Sequence, residues 1–239
     1  MPTVWDLLRL ATVAARARST REFYDRISSS YDSLFTEHLP HMRTMVVTLA
    51  ERFTQVPDTK VLDVACGTGA LSRRLEEQGF CVSALDFSFQ SLLVMKKMAP
   101  TIRSVQGDAV ALPFPSASFD AVTCMGAWRH FQEPERVLAE ICRVLRPHGV
   151  FIVGYFPPKL GGLFHIPAGQ FGEMAMSLYR QVVKVLNYTD KVGEGVELEA
   201  FTMINAAFRN CRRIPSSGDE YLLLAESPGV GKLSLSSSP

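Results

Sequence analysis

The chain has 239 residues, of which 47% are hydrophobic and 21% are charged. This composition is typical of a globular protein with a sizeable core, and the length fits one large domain. The formal net charge of +1 gives no reason to expect a nucleic-acid partner or an anionic membrane surface. The apolar runs are too short to cross a bilayer, so we expect no stable membrane insertion.

The five cysteines are scattered and form no C-x-x-C pair. Their spacing favours reduced, partly buried thiols and therefore a cytoplasmic protein. Residues 1–21 are rich in arginine, so organelle import is the alternative to a simple N-terminal helix. Two histidines, His38 and His41, lack a carboxylate or cysteine partner and make a poor metal site. No metal is predicted.

Helical spacing of apolar residues predicts three helices ahead of the first strand, over residues 2–18, around 23–27 and over 33–53. Strands and helices then alternate along the chain. We expect strands at 60–64, 81–85, 102–106, 119–124 and 150–155, with helices at 70–78, 88–98 and from Pro134 to about residue 145. Strand–helix units at this spacing predict a parallel sheet with helices on both faces.

The pattern changes after the fifth strand. Residues 157–192 form a stretch rich in Met, aromatic, Pro and Gly residues that is too long for a simple connection, so we predict a helical insertion that covers the substrate. A helix over 194–208 and a β-hairpin formed by 212–214 and 220–225 follow. The expected units are an N-terminal helical lid region (1–56), an α/β domain (57–227) and a disordered tail (228–239).

The most informative stretch is Val61–Gly69, which predicts a buried strand, a glycine turn and the start of a helix. Gly67 and Gly69 let the backbone approach a ligand closely, and the helix behind them offers unpaired N–H groups. Asp86 and Asp108 follow the next two strands, and the carboxyl ends of neighbouring parallel strands meet at one crevice. A carboxylate in the position of Asp86 suits a ribose diol.

The glycine spacing argues against a dinucleotide. Ser72 stands where the Gly-x-Gly-x-x-Gly pattern requires its third glycine, and no lysine follows the glycines as a phosphate-binding loop requires. An adenosine without a pyrophosphate is therefore the better ligand. A nicotinamide-dependent oxidoreductase stays a less favoured hypothesis.

Four motifs in a fixed order carry a resemblance to a known family. They are Val61–Gly69, the acidic end of the second strand, Gly107-Asp108-Ala109 with Leu112-Pro113-Phe114, and Leu145-Arg146-Pro147 followed by Gly149. The chain resembles the class I (Rossmann-like) S-adenosylmethionine-dependent methyltransferases, most of all the type 11 small-molecule group around the ubiquinone/menaquinone-biosynthesis enzymes. The resemblance implies a doubly wound, mostly parallel seven-stranded α/β sheet with an antiparallel last strand. The N-terminal helices and the insertion would form a lid.

The resemblance also implies S-adenosyl-L-methionine as the cofactor and assigns residues to its site. These residues are Tyr24, Tyr31, Asp63, Ala65, Gly67, Gly69, Asp86, Phe87, Asp108, Ala109 and Met125. In this assignment Asp86 takes the ribose hydroxyls, Asp108 accepts from the adenine amino group, and the two tyrosines cover the cofactor. Taken singly, each carboxylate has the alternative of capping a turn or helix.

The segment Met125–Phe131 follows the fourth strand and lacks the Asn/Asp-Pro-Pro-Tyr pattern of many enzymes that methylate nitrogen in nucleic acids and proteins. We therefore expect an oxygen or carbon acceptor, with sulfur or nitrogen less favoured. His130 is the candidate base, because an unperturbed pKa near 6.5 suits proton removal at neutral pH. The alternative is a histidine that packs between Trp128 and Phe131 or caps the next helix.

Further residues are candidates for contact with the acceptor. They are Trp128, Arg129, Tyr155, Phe164 and His165, although for Arg129 a surface charge is the favoured alternative. The apolar insertion suits a small hydrophobic acceptor such as a quinol, phenol, terpenoid or lipid-like metabolite. We expect a monomer or homodimer. The competing hypothesis is a non-catalytic S-adenosylmethionine-binding protein that supports a partner enzyme, since methyl transfer requires no invariant catalytic residue.

Overall fold

Our computed structural model describes residues 9–10, 12–13, 16–34, 39–54, 58–154, 194–216 and 221–229. The predicted insertion over 157–192 lies outside the described residues, and so do Tyr155, Phe164 and His165. Across the described ranges, no helix is long and apolar enough to cross a membrane.

The described residues of the N-terminal segment are mostly helical. Helix α1 (Thr20–Ile27) begins after Ser19, whose hydroxyl accepts a hydrogen bond from the Glu22 N–H, an arrangement typical of helix starts. A 3₁₀ turn (Ser28–Ser30) and the short helix α2 (Tyr31–Leu34) follow. Helix α3 (Leu39–Arg52) completes the segment.

The central layer is a seven-stranded sheet. Its strands in chain order are β1 (Lys60–Val64), β2 (Cys81–Asp86), β3 (Arg103–Gln106), β4 (Phe119–Met125), β5 (Leu145–Gly154), β6 (Phe208–Pro215) and β7 (Tyr221–Pro228). They lie in the order β3-β2-β1-β4-β5-β7-β6. Strands β1 to β5 are parallel, and β7 runs antiparallel to both β5 and β6. The predicted seven-stranded sheet with an antiparallel last strand is confirmed.

Helices cover both faces of this sheet. They are α4 (Ala70–Glu77), α5 (Phe89–Met98), α6 (Pro134–Val144) and α7 (Glu194–Ala207). Alternate strand residues point to opposite faces, so Val61 packs with α3 and α4 whereas Leu62 packs with α6 and α7. The core therefore has two layers, and the carboxyl ends of β1 to β4 stay open at one edge.

Two strands begin earlier than the sequence pattern predicted. Leu145 was expected on the preceding helix but pairs with Phe119, so β5 starts at Leu145, and the pairing register shifts between Phe119 and Ala121. Strand β6 starts at Phe208, which pairs with Pro228, the last residue of β7. The reason in both cases is cross-strand pairing, which a local apolar pattern does not reveal.

Candidate functional site

A cavity of about 330 Å³ lies at the carboxyl ends of strands β1 to β4, beneath helix α1. This volume is at the lower end of the range typical of small-molecule sites. The predicted residues that line it are Tyr24, Tyr31, Ala65, Gly67, Asp86, Phe87, Asp108, Ala109, Met125 and His130. The strand ends predicted to meet at one crevice therefore do so.

The glycine turn forms one wall of the cavity. Ala65, Gly67 and Gly69 all have left-handed backbone conformations, with φ of 56°, 56° and 80°. A β-carbon added at Gly67 would meet no atom within 4 Å, whereas one added at Gly69 would lie 2.6 Å from the Met95 Cγ. Gly67 thus leaves room for a ligand beside the backbone, and Gly69 allows close packing of the turn on α5.

These two glycines make a matched pair for mutagenesis. We expect Gly67→Ala to lower the free energy of unfolding by about 1 kcal/mol because of its left-handed conformation. Its methyl group would narrow the cavity and weaken ligand binding. Gly69→Ala should cost about 2 kcal/mol or more because Met95 must also move, with less effect on binding. Gly69→Ala should therefore lose more stability and Gly67→Ala more ligand affinity. Thermal denaturation and ligand titration of both variants would check these opposite orders.

Asp86 is a buried carboxylate at the centre of the site. Its Oδ2 accepts a hydrogen bond from the Gly67 N–H and its Oδ1 accepts one from the Ser88 N–H, both at 2.8 Å. Burial raises the pKa of Asp86 to about 6, and the nearby charge of Asp25 acts in the same direction. Asp86 is therefore largely ionised at neutral pH and retains lone pairs for a ligand hydroxyl.

Asp63 lies below the cavity rather than on its wall, with 1% of its surface exposed. It accepts hydrogen bonds from the Ser72 Oγ at 2.5 Å and the Thr123 Oγ1 at 2.9 Å. The carboxylate thereby ties β1 to α4 and β4. Ser72 is the residue that breaks the dinucleotide glycine pattern, and its role is to donate this hydrogen bond to Asp63. No local feature of the sequence revealed that role.

Asp63→Asn should stabilise the free protein in a pH-dependent way. Burial raises the pKa of Asp63 from 3.8 to about 6, so keeping it ionised in the folded state costs about 3 kcal/mol at pH 8. Ser72 and Thr123 can turn their hydroxyls to accept from the new amide. Because the folded carboxyl binds its proton more tightly than the unfolded one, the cost disappears below about pH 4.

The measurement is the difference in unfolding free energy between Asp63→Asn and wild type, from urea titrations at pH 4 to 8. Comparing the two proteins at each pH cancels the titration of all other groups. A difference that stays constant over this range would show that Asp63 does not carry the perturbed pKa.

A second set of side chains surrounds the Phe87 end of the cavity. The guanidinium of Arg21 lies 5.5 Å from the centre of the Phe87 ring, in cation–π geometry. Asp108 is exposed and accepts from the Val110 N–H at 3.2 Å. Arg21 was not predicted as a site residue; the arginine-rich character of residues 1–21 was its only local signal.

Tyr24 lies near both Phe87 and His130, and its ring centre is 6.3 Å from that of Phe87. The Tyr24 hydroxyl lies 3.1 Å from the His130 Nε2, and the two rings meet edge to face at 5.8 Å. Burial lowers the pKa of His130 to about 3, with the charge of Arg129 adding to the effect. The imidazole is consequently neutral at physiological pH and hydrogen-bonded to the N-terminal helix.

Two acceptor-site candidates are not on the cavity wall. Trp128 is 4% exposed and packs against Phe131 and Phe151, with ring centres 5.8 Å apart in each pair. Arg129 is partly buried and does not line the cavity either. The 3₁₀ turn Trp128–His130 directs its three side chains to different sides, which places Trp128 in the core and His130 at the cavity.

Comparison with known proteins identifies the domain. A family model described as a methyltransferase domain matches residues 62–153. A demethylmenaquinone methyltransferase of Renibacterium salmoninarum is 37% identical, over 64% of this chain and 65% of the relative. One from Deinococcus radiodurans is 43% identical, over 44% of this chain and 46% of the relative. The chain thus spans about half to two thirds of the curated relatives it matches.

Solved structures support the same fold. A Methanococcus maripaludis protein, provisionally assigned as an S-adenosyl-L-methionine-dependent methyltransferase, has a TM-score of 0.62 with 19% identity, covering 90% of this chain and 96% of its own. The PH0226 protein of Pyrococcus horikoshii has a TM-score of 0.59 with 22% identity, covering 83% and 98%. The chain therefore carries a methyltransferase domain over residues 62–153 and shares the Rossmann-like fold of these structures.

Proposed function

We propose that this protein transfers a methyl group from S-adenosylmethionine to a carbon or oxygen of a small quinol-type aromatic acceptor. The observation that carries the proposal is one cavity lined by Asp86, the glycine turn and the hydrogen-bonded Tyr24–His130 pair. The names of the relatives from Renibacterium salmoninarum and Deinococcus radiodurans support a quinone-type ring as the acceptor class.

The residues around the glycine turn fit this cofactor. Gly67 leaves open space against its backbone, as a bound methionine moiety would require. The ionised Asp86 can accept from two ribose hydroxyls, while Asp108 and the Ala109 N–H can pair with an adenine edge. When bound, S-adenosylmethionine supplies a methyl group on a sulfonium, whose leaving group needs no activation.

The apolar part of the cavity wall fits a flat apolar ring. Tyr24, Met125 and Phe131 provide aromatic and thioether surface there, which excludes water and fixes the orientation of an acceptor. His130 stays neutral and can accept the hydroxyl proton of a quinol, which makes the ring more nucleophilic. Its low pKa means that the proton is held only while the acceptor anion lies beside it.

The test is a methyl-transfer assay with S-adenosylmethionine and a panel of reduced naphthoquinols, benzoquinols and simple phenols. We expect S-adenosylhomocysteine formation with reduced quinols and none with the oxidised quinones, which carry no hydroxyl proton. Mass spectrometry and NMR of the product would distinguish ring-carbon from oxygen methylation. Tight cofactor binding without turnover on any acceptor would favour the non-catalytic alternative.

A further inference from the structure

A Tyr-Asp pair occurs twice in the N-terminal segment, seven residues apart, as Tyr24-Asp25 and Tyr31-Asp32. Seven residues correspond to about two helical turns. The 3₁₀ turn Ser28–Ser30 joins α1 to α2, so both pairs face the open edge of the sheet. Both tyrosines line the cavity, and both carboxylates bond to the turns beneath them. We call residues 16–34 the N-terminal lid and Asp25 and Asp32 the lid carboxylates.

The first lid carboxylate bonds to the turn after β2. The Asp25 Oδ1 accepts from the Ser88 Oγ at 2.6 Å and from the Gln90 N–H at 3.3 Å. Ser88 is the N-cap of α5, and its N–H donates to Asp86 at 2.8 Å. A chain of three side chains and one backbone group therefore links the lid to the carboxylate assigned to the ribose.

The second lid carboxylate bonds to the glycine turn. Asp32 accepts a short hydrogen bond from the Thr68 hydroxyl and lies 3.6 Å from the Arg73 guanidinium. Arg73 also donates to the Thr68 carbonyl at 3.1 Å. Thr68 stands between Gly67 and Gly69, so this carboxylate holds the turn whose backbone borders the cavity.

We propose that Asp25 and Asp32 are positioning residues that couple closure of the N-terminal lid to retention of the cofactor. The inference rests on the proposed function, because it takes S-adenosylmethionine as the ligand. Each lid carboxylate accepts a hydrogen bond from one of the two turns assigned to S-adenosylmethionine. The turn geometry that docks the lid is therefore also the geometry that binds the cofactor. Coupling is reciprocal, and bound cofactor therefore strengthens lid docking by the same factor.

The experiment measures association and dissociation rates of S-adenosylmethionine in the full chain for Asp25→Ala and Asp32→Ala. The control is Glu22→Gln, on the same helix, because the partners of Glu22 are Arg18 and Arg26 within the lid. We expect dissociation to become about tenfold faster in each alanine variant, within the usual range for coupled sites. The association rate should stay unchanged or rise, and the control should behave as wild type.

Two further readouts separate coupling from structural damage. Amide exchange of residues 20–34 should be faster in both alanine variants even without cofactor, because the lid then docks less firmly. Asp25→Asn and Asp32→Asn should restore part of the slow dissociation, since an amide oxygen still accepts from Ser88 or Thr68. These asparagine variants also keep the test open if an alanine variant does not fold.

Unchanged dissociation rates in both pairs of variants, with normal binding by wild type, would overturn the coupling. A slower association rate with unchanged dissociation would also overturn it, because that pattern indicates a damaged site rather than an open lid. Wild-type protein that binds no S-adenosylmethionine would overturn the proposed function and the coupling with it.

Discussion

Asp86→Asn is expected to weaken S-adenosylmethionine binding at least about 100-fold. Hydrogen bonds to a charged acceptor contribute about 1.5–3 kcal/mol each, and two ribose hydroxyls would lose that charge assistance. The new amide would also place a donor against the N–H of either Gly67 or Ser88, both of which donate to Asp86. Calorimetric titration at pH 8, where a carboxyl with a pKa of about 6 is ionised, measures the loss.

The matched control is Asp120→Asn, which removes a carboxylate near the start of β4, at the end of the strand away from the cavity. Asp120 accepts from the Lys60 N–H at 2.9 Å and from Arg146 at 2.5 Å. That variant should lose stability and keep its cofactor affinity.

In wild type the cofactor affinity should also fall below about pH 6, as Asp86 takes up a proton, and the Asp86→Asn variant should lack this dependence. Normal affinity in Asp86→Asn would remove Asp86 from the site.

His130→Ala is expected to lower kcat by about 100-fold while cofactor affinity changes little, because a positioned base typically contributes 10²–10⁴ in rate. Burial holds the pKa of His130 near 3. The kcat/KM of the wild type for the quinol, measured at saturating cofactor, should therefore show no inflection near pH 6.5. Steady-state kinetics with a reduced quinol from pH 5 to 8 test both expectations.

The Tyr24→Phe variant shows whether His130 acts as a base or only as a contact for the lid. It removes the hydrogen bond to His130 and keeps both rings and the imidazole. If His130 accepts a proton, Tyr24→Phe should retain much more of kcat than His130→Ala. Equal losses in the two variants would assign His130 to lid positioning, and wild-type turnover in His130→Ala would exclude it from the mechanism.

The curated relatives inform the domain more than the acceptor. The named enzymes from Renibacterium salmoninarum and Deinococcus radiodurans match this chain over 65% and 46% of their own lengths. These matches bear most directly on the domain that holds the cofactor site. The atom methylated is therefore best identified by product analysis rather than by analogy.

Local sequence pattern determined the parallel strands of the sheet and the part of the cavity at their carboxyl ends. The spacing of apolar residues predicted strands β1 to β5, and parallel strands necessarily bring their carboxyl ends to one edge. Gly67, Asp86 and Asp108 could therefore be placed together from the sequence alone. Asp86 ends β2, and Gly67 and Asp108 lie in the turns after β1 and β3, so chain connectivity is enough to position each of them.

Tertiary structure decided the rest. Tyr24 meets His130 across 106 residues and Asp25 meets Ser88 across 63, and both contacts depend on how the N-terminal helix docks on the sheet edge. The sequence also did not reveal that Trp128 points into the core. A three-residue 3₁₀ turn is too short for a hydrophobic period to show which of its sides is buried. Short-range pattern thus specifies the strand ends that form the cavity floor, whereas long-range packing selects the side chains that close over it.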